Sequence, residues 1–518
     1  MTTDTIVLED TYLDSVLLLG LTRAMGEVQD VEWSAALMGT PANVAALRTE
    51  GVEAGALVGV EANDLVLAVR ARSAKAVGEA LELGKRRAQD GGAHSRAGTT
   101  EATGRRPRTL EEAAASLDGA NVAVISVPGL YAALESHKAL SRRLHVLLFS
   151  DNVPLEDEVT LKERAVELGC LLMGPGAGTA MLGSTGLGFA NSVRPGGRVA
   201  VLAAAGTGAQ EVMALLDRWG PGVSHVIGLG GRELSEAVGG RIARLAIGLL
   251  EADPASEAIL FVSKPPAADV AESVLSSALS SKPLVSALIG LSGGLDVPPG
   301  VTMTSTLEGG ALAVLDALGT ERPDLRDTAG WDLAGRCDSL EPGRHSVRGL
   351  FSGGTLCYES LVLLSRFLGP VYSNTPLRDE WALPAPKGAH VCLDLGEEEF
   401  TRGRPHPMID AEARVEHIEA QGDDPDTAVV LIDVVLGYGS HPDPASVLSP
   451  VCAEIANRRG GPAVVAYVLG TASDPQGYDA QRRRFAEAGC LVPTTGARAA
   501  LAAAALAARR PEIAGAQA

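Results

Sequence analysis

Two apolar stretches of this 518-residue chain each run into a glycine turn that reads as the start of a helix. One is VAVLAAA (199–205) followed by Gly206-Thr207-Gly208; the other is the stretch 346–351 followed by Gly353-Gly354-Thr355. A strand that turns on glycine into a helix leaves the first-turn N–H groups unpaired at the positive end of the helix dipole, which suits a phosphate or carboxylate. Both helices carry Thr-x-x-x-Glu, as Thr207 with Glu211 and Thr355 with Glu359, and both stop at glycine, Gly220 and Gly369, where a left-handed C-cap is expected. Packed about a pseudo-twofold axis, the two helix starts would converge on one anion. Lys264 ends the strand AILFVSK and stands at the carboxyl edge of a parallel sheet, where ligands usually bind, although a lysine there can also simply reach solvent.

Further candidates come from two loops. In GRPHPMID (403–410), Arg404 offers a planar fork to an oxyanion and His406 a proton, with Pro405 and Pro407 stiffening the backbone. GYGSHPD (437–443) carries His441 and Asp443, suited to proton transfer or substrate binding, or to capping the next turn. Gly228–Gly231 with Arg232 and Glu233 reads as one more strand-end loop. Cys170, Cys337, Cys357, Cys392, Cys452 and Cys490 form no C-x-x-C pair and read as small core residues, so no metal site and no disulfide framework is expected. No P-loop, Cys–His pair or serine elbow occurs.

These side chains need a scaffold, and the hydrophobic pattern describes one. Continuous apolar strands alternate with amphipathic helices from residue 121 onward, the grammar of parallel sheets covered on both faces. The expected fold class is α/β, with a Rossmann-like domain, two flavodoxin-like parallel-sheet domains and a small N-terminal α/β unit. The boundaries are 1–88 for the N-terminal unit, 89–110 for a flexible linker and 111–195 for the Rossmann-like domain. The first five-stranded repeat covers 196–320, a linker 321–345, and the second repeat 346–510. The first repeat takes strands at 199–205, 226–229, 258–262, 284–289 and 301–304, with a closing helix at 309–318. The second takes 346–351, 391–395, 428–434, 463–468 and 491–493, with a closing helix at 497–508. In the N-terminal unit a helix is expected over 15–25, strands over 31–38 and 65–69, and a helix over 74–87.

Composition narrows the function. Hydrophobic residues make up 46% and charged residues 21%, ordinary globular values, while 60 glycines and 29 prolines suit many tight turns. At ~150 residues per domain the length predicts three to four domains. A net charge of −20 disfavours nucleic-acid and anionic-membrane binding but leaves room for a local basic pocket. The first 14 residues lack a basic-then-apolar leader pattern and no run of 18 apolar residues occurs, so a cytoplasmic protein is expected.

At these residues the chain resembles the FdrA family, related to succinyl-CoA synthetase with α-like and β-like CoA-ligase modules fused in one chain. The stretches that carry the resemblance are MGTPAN (38–43), FSDNVPLEDE (149–158), IGLGGRELS (227–235), FVSKPPA (261–267), GGTL (353–356), GRPHPMID and DVVLGYG (433–439). In the synthetases the two glycine-opened helices flank a phosphohistidine, and the resemblance places Thr207 and Thr355 at those helix starts. Three features depart from that pattern. The Gly-His-Ala-Gly loop is absent after ALIGLSGG (287–294), Lys264 stands where an acid supports the histidine, and the CoA glycine loop is missing. Within the family pattern, MGPGAGT (173–179) replaces an acid and a thiol by Gly176 and Ala177.

The family includes a subunit of oxamate carbamoyltransferase. The resemblance therefore implies a transferase subunit handling phosphate or carbamoyl phosphate with a small carboxylate. Gly206, Thr207, Gly208, Gly353, Gly354, Thr355 and Arg404 would bind the anion, and Lys264, His406 and His441 would act on charge and proton. An acyl-CoA synthetase and a non-catalytic assembly protein are the alternatives; CoA stays open as a cofactor although its loop is missing. Partner subunits or a homo-oligomer are expected.

Overall fold

The structure, a computed structural model, describes every residue except Met1, Asp10, Tyr12, Asp14, 95–106, 279–280, 292–293, 326–330 and 402–404. The chain divides into two units, Met1–Arg106 with Arg402–Pro405, and Pro107–Thr401 with His406–Ala518.

The first unit contains β1 (Thr2–Leu8), α1 (Ser15–Gly26), β2 (Val31–Met38), α2 (Pro41–Thr49), β3 (Leu65–Ala71) and α3 (Ala74–His94). β3 lies between β1 and β2, antiparallel to both. Its residues are buried on alternate faces: Leu65, Leu67 and Val69 pack with Met25, Ala80 and Leu81, whereas Val66 and Ala68 pack with Leu47 and Leu57. The strand β1 and the helix α2 escape the sequence reading, because TTDTIVL and PANVAALRT carry weak alternation and a weak helical stripe. The expected helix over 74–87 continues to His94.

The second unit opens with α4 (Leu110–Ser116), capped by Thr109, so the expected linker over 89–110 closes in a helical turn at its end, while 95–106 lies outside the described residues. A three-stranded parallel sheet follows, ordered β4 (Val122–Ile125), β5 (His145–Leu148), β6 (Leu172–Met173), with α5 (Gly129–Ser141) and α6 (Leu155–Glu167). A hairpin, β7 (Thr179–Leu182) and β8 (Thr185–Gly188), is short and glycine-rich, which hid it in the sequence. It extends the sheet of the first repeat, which therefore has seven strands rather than the five expected.

That repeat comprises β9 (Val199–Ala204), α7 (Gly206–Trp219), β10 (Val223–Gly228), α8 (Arg241–Ala252), β11 (Ala258–Ser263), α9 (Ala268–Leu275), β12 (Leu284–Leu288), β13 (Val301–Thr304) and α10 (Leu307–Ala317). The order is β13-β12-β11-β9-β10-β7-β8. The connection over 321–345 holds a short helix, α11 (Leu333–Ser339), instead of being a plain linker.

The second repeat comprises β14 (Ser346–Phe351), α12 (Gly354–Leu368), β15 (Val371–Ser373), β16 (His390–Asp394), α13 (Glu398–Thr401), α14 (Val415–Asp423), β17 (Thr427–Val435), α15 (Pro444–Ala456), β18 (Ala463–Leu469), α16 (Tyr478–Glu487) and α17 (Gly496–Ala507). Its parallel sheet runs β15-β16-β14-β17-β18. The fifth strand is β15, not the expected 491–493, which makes a single bridge from Leu491 to Val465 because Pro493 cannot continue a ladder. Gly220 and Gly369 do end α7 and α12 with positive φ, 112° and 80°, but at ψ of −38° and −142° they lie outside the left-handed helical well that was expected.

The two repeats are locked by an exchange of carboxylates. Glu211 on α7 accepts the Gly496 N–H of α17 at 3.1 Å, and Glu359 on α12 accepts the Leu307 N–H of α10 at 2.7 Å. Each repeat's first helix thus caps the other repeat's closing helix at its first residue. Thr306 and Thr495 complete the two caps, accepting from Gly309 at 3.0 Å and Arg498 at 3.1 Å. Around them Tyr467 donates its hydroxyl to Glu211, and Glu308 accepts from Thr495 Oγ1 at 2.6 Å and pairs with Arg498. The helix α17 is apolar except for the partly buried Arg498, buries its other residues and has contacts with α12, β17 and β18. Among the described residues no helix is long and apolar enough to cross a membrane.

A second buried knot joins α6 to the loop after β10. Lys162, with no exposed side-chain surface, binds Glu158 at 2.8 Å, Glu233 at 2.6 Å and the Leu229 carbonyl at 3.0 Å. Arg232 reaches Glu158 at 2.7 Å, and Glu233 accepts the Ala243 N–H of α8 at 2.8 Å. Lys162→Met leaves buried Glu233 without a cation and Glu158 with Arg232 alone, and is expected to cost about 3–5 kcal/mol, read as an earlier urea midpoint of this unit.

Burial and the neighbouring Glu211 push the Glu359 carboxyl up to about 8. A raised acid stabilises the fold fully below the ordinary carboxylate range, and that contribution disappears as pH rises through the folded value. Between about pH 6 and about pH 9 the melting temperature of Glu359→Gln should therefore fall less than that of the parent, and parallel curves would contradict the assignment.

Candidate functional site

Strand register explains which side chains meet at the glycine turns. In the first sheet Ser263 is paired with Ala204, so Lys264 leaves β11 beside the point where β9 passes into α7. In the second sheet Phe351 is paired with Asp394, and Leu350 with Ile432, so Asp394 and Asp433 flank the Ser352-Gly353-Gly354 turn from both sides. All of these positions lie at carboxyl ends of parallel strands.

The starts of α7 and α12 meet directly. The Thr355 N–H donates to Thr207 Oγ1 at 3.2 Å. Glycine permits this approach: a Cβ at Gly208 would lie 2.9 Å from Thr355 Cγ2, and one at Gly353 would lie 2.9 Å from Thr207 Cγ2. Asp433 takes the Ser352 and Gly353 N–H groups at 2.7 Å each and the Ser352 hydroxyl at 2.9 Å. Asp433 thus binds the two N–H groups that lead into α12 and Thr207 one of its first turn, while neither α7, with exposed Gly206, nor α12 has a side-chain cap at its own N-cap position.

At the start of α12, Lys264 Nζ lies 3.5 Å from the position a Gly354 Cβ would take, and Asp394 Oδ2 packs against the same glycine. The ammonium also stands 6.0 Å from the Tyr358 ring centre. Asp394 is only 3% exposed. Its Oδ1 accepts the Gly396 N–H at 3.0 Å, and Asn374 clamps its backbone through two bonds of 2.9 Å. Burial pushes the Asp394 carboxyl up to about 6, against the pull of Lys264.

His406 joins the same neighbourhood. Its Nδ1 accepts the Met408 N–H at 3.2 Å, which leaves the ring proton on Nε2. That Nε2 faces Gly396, where a Cβ would stand 2.6 Å away. Burial holds its pKa below the usual histidine value, against Asp433. Asp433 in turn is paired with buried Arg414 at 3.1 Å, and Arg414 donates to the Asp433 and Leu350 carbonyls at 2.7 Å each. Burial pulls the guanidinium pKa down while Asp433 pulls it up.

His441 is placed in the turn that opens α15, where Nδ1 accepts from the Asp443 N–H at 3.1 Å and Nε2 is 4.0 Å from Glu412. Asp443, at the N-cap position of α15 but without a side-chain cap bond, pairs with Arg484 and accepts from Gln481 at 2.9 Å. Arg404 lies outside the described residues. The sequence reading missed Asp394, Asp433 and Arg414. Lone acids at the ends of HVCLD and inside TAVVLIDVV are visible in the sequence, whereas Arg414 sits in an irregular turn without periodicity.

Chemically, a helix start with free donors, an ammonium and a protonatable carboxyl together can hold an oxyanion and exchange a proton with it. Residues 350–506 match the model of the family described as CoA-ligase, and residues 1–104 match that described as AllF, heavy metal-associated domain. The latter stretch contains no cysteine and so offers no thiolate to a metal. YahF of Escherichia coli (strain K12) is 35% identical over 508 residues, 96% of each chain. The ADP-forming sulfoacetate-CoA ligase subunit SauD of Bilophila wadsworthia is 27% identical over 36% of this chain and 63% of its own. Subunit alpha 2 of the ADP-forming succinate–CoA ligase of Archaeoglobus fulgidus is 29% identical over 39% of this chain and 69% of its own. With its full-length likeness to YahF the chain belongs to that protein's family, and its residues 350–506 form a module of the CoA-ligase type.

Proposed function

We propose that the chain is an acyl-CoA-ligase-type subunit that holds phosphate, or the acyl phosphate of a small carboxylate, at the start of α7. The observation that carries this reading is the uncapped first turn of α7 with Lys264 at the neighbouring strand end. The ADP-forming ligase subunits among its relatives support it. Gly206, Thr207 and Gly208 would receive the oxyanion, Lys264 would neutralise it, and Asp394 and His406 would manage the proton. The CoA loop and the nucleotide site would come from partner subunits, in a cytoplasmic assembly.

A second reading is transfer of a carbamoyl group between phosphate and a small carboxylate, as the FdrA resemblance implies. The direct contact of Thr207 with Thr355 favours it, since transfer between two bound anions needs no histidine carrier between the helix starts.

Thermal shift of the purified chain with phosphate, carbamoyl phosphate, oxamate, CoA and ATP, each alone, separates the readings. A ligand at about 100 times its Kd stabilises by about 2.7 kcal/mol. Stabilisation by CoA or ATP supports the ligase; stabilisation by carbamoyl phosphate without CoA supports the transferase; no response anywhere points to a scaffold. Lys264→Ala is expected to abolish the phosphate response, and an unchanged response would remove Lys264 from the site.

A further inference from the structure

A cavity of about 590 Å³ lies between the two repeats, and neither Lys264 nor the turns at Gly206 and Gly353 line it. One wall is Ser305, just after β13. The others come from α12, through Tyr358, Val362 and Arg366, and from the loop after β15, through Arg378 and Trp381. The carboxyl end of a parallel strand and the seam between two domains are both places where ligands usually bind. The volume suits an organic molecule of some size; phosphate or a small carboxylate would leave most of it empty.

The lining is cationic. In a chain of net charge −20, none of the described residues that line this cavity is an aspartate or glutamate, whereas two are arginines. Arg378 lies over the Trp381 ring, 5.0 Å from its centre, and Arg366 over Phe367 at 5.5 Å. A guanidinium laid on a ring keeps its N–H edges for an oxyanion. Those edges are lightly used here. Arg366 donates to the Gln517 carbonyl at 3.2 Å, and Arg378 has an exposed Glu380 at 3.7 Å, a pair worth little in water. Ala518 also belongs to the lining, and its carboxylate pairs with neither arginine. Between the two cations, Tyr358, Val362, Leu377 and Trp381 offer apolar surface.

We infer that this cavity is a separate ligand site for an organic anion with a ring-sized apolar body. Arg366 and Arg378 receive the oxyanion, and the body lies against Tyr358, Val362 and Trp381. The site is independent of the anion position proposed at α7, since Lys264 takes no part in it.

The test is fluorescence titration of the full chain with anilinonaphthalene sulfonate, a ring-bearing anion, and with phenylnaphthylamine, which has the rings without the charge. The anion should bind saturably at one site. In the double variant Arg366→Gln, Arg378→Gln its affinity should fall at least about tenfold, while that of the neutral probe stays as it was. Val362→Trp, which fills the cavity and changes no charge, should abolish binding of both probes, and Lys264→Ala should leave both unchanged. Both arginines are exposed, so the double variant should keep the parent's melting transition even if Val362→Trp does not. Absence of saturable binding would overturn the inference, as would an anion affinity that the arginine substitutions leave unaltered. Neither result bears on the anion position at α7, which the phosphate response of Lys264→Ala decides.

Discussion

The reciprocal caps of Glu211 and Glu359 are the constraint on which the rest of the molecule depends. A helix start buried between two sheets must find acceptors for its first N–H groups, and burial without them is costly. Each repeat solves this for the other: α7 supplies the acceptor for α17, and α12 the acceptor for α10. Neither closing helix can be capped in this way unless both repeats are folded and docked. The arrangement explains why Thr-x-x-x-Glu occurs twice, since the threonine stands at the helix contact and the glutamate one turn further on reaches across. The accompanying acids, Glu308 among them, are tolerated because Arg498, Thr495 and Tyr467 satisfy them.

Docking the repeats through these caps also brings two positive helix ends together, an arrangement that is unfavourable unless the charge is met. The protein meets half of it internally. Asp433, held by Arg414, closes the α12 turn, and Thr207 takes one more of its donors. What surrounds the two starts is asymmetric: Lys264 and Asp394 lie against Gly354 at the start of α12, while Gly206 at the start of α7 is exposed. Duplication builds a symmetric frame, and substitutions at equivalent strand ends turn it into one site with a direction. Lysine follows β11, a strand neighbouring β9, while aspartate ends β16 and stands within β17, the strands on either side of β14.

How much of this was legible depended on the range of the interaction that decided each element. The strands 199–205 and 346–351 and their helices were visible because an apolar run ending in glycine is a local signal. The repeat was visible because two such signals recur with the same Thr-x-x-x-Glu. The strand β15 was not, since three residues after a helix carry no period, and neither was the β7–β8 hairpin, whose glycines read as loop. Asp394 and Asp433 were legible only as lone acids at apolar strands; their importance follows from parallel register, which cannot be read before the strand order is known. Thr207 and Thr355 were foreseen as neighbours, but not that one would cap the other. That contact arises from the absence of side chains at Gly208 and Gly353, and only the packed pair reveals it.

The same asymmetry bears on what the family's scaffold can do without a histidine between its helices. A covalent carrier must move between stations, which requires a loop with room at the helix junction. Here Thr207 and Thr355 fill that junction, and the free donors lie to one side of it, at Gly206. On the proposed reading, charge at such a place would be held by fixed dipoles and by Lys264 rather than by a bond to the protein, and the balancing proton would come from a group already close. Near Gly354 and Gly396 stand two protonatable groups, Asp394, raised by burial to about 6, and His406, lowered by burial from its usual value. Desolvation thus acts on the acid and on the base in opposite directions and favours the neutral form of each.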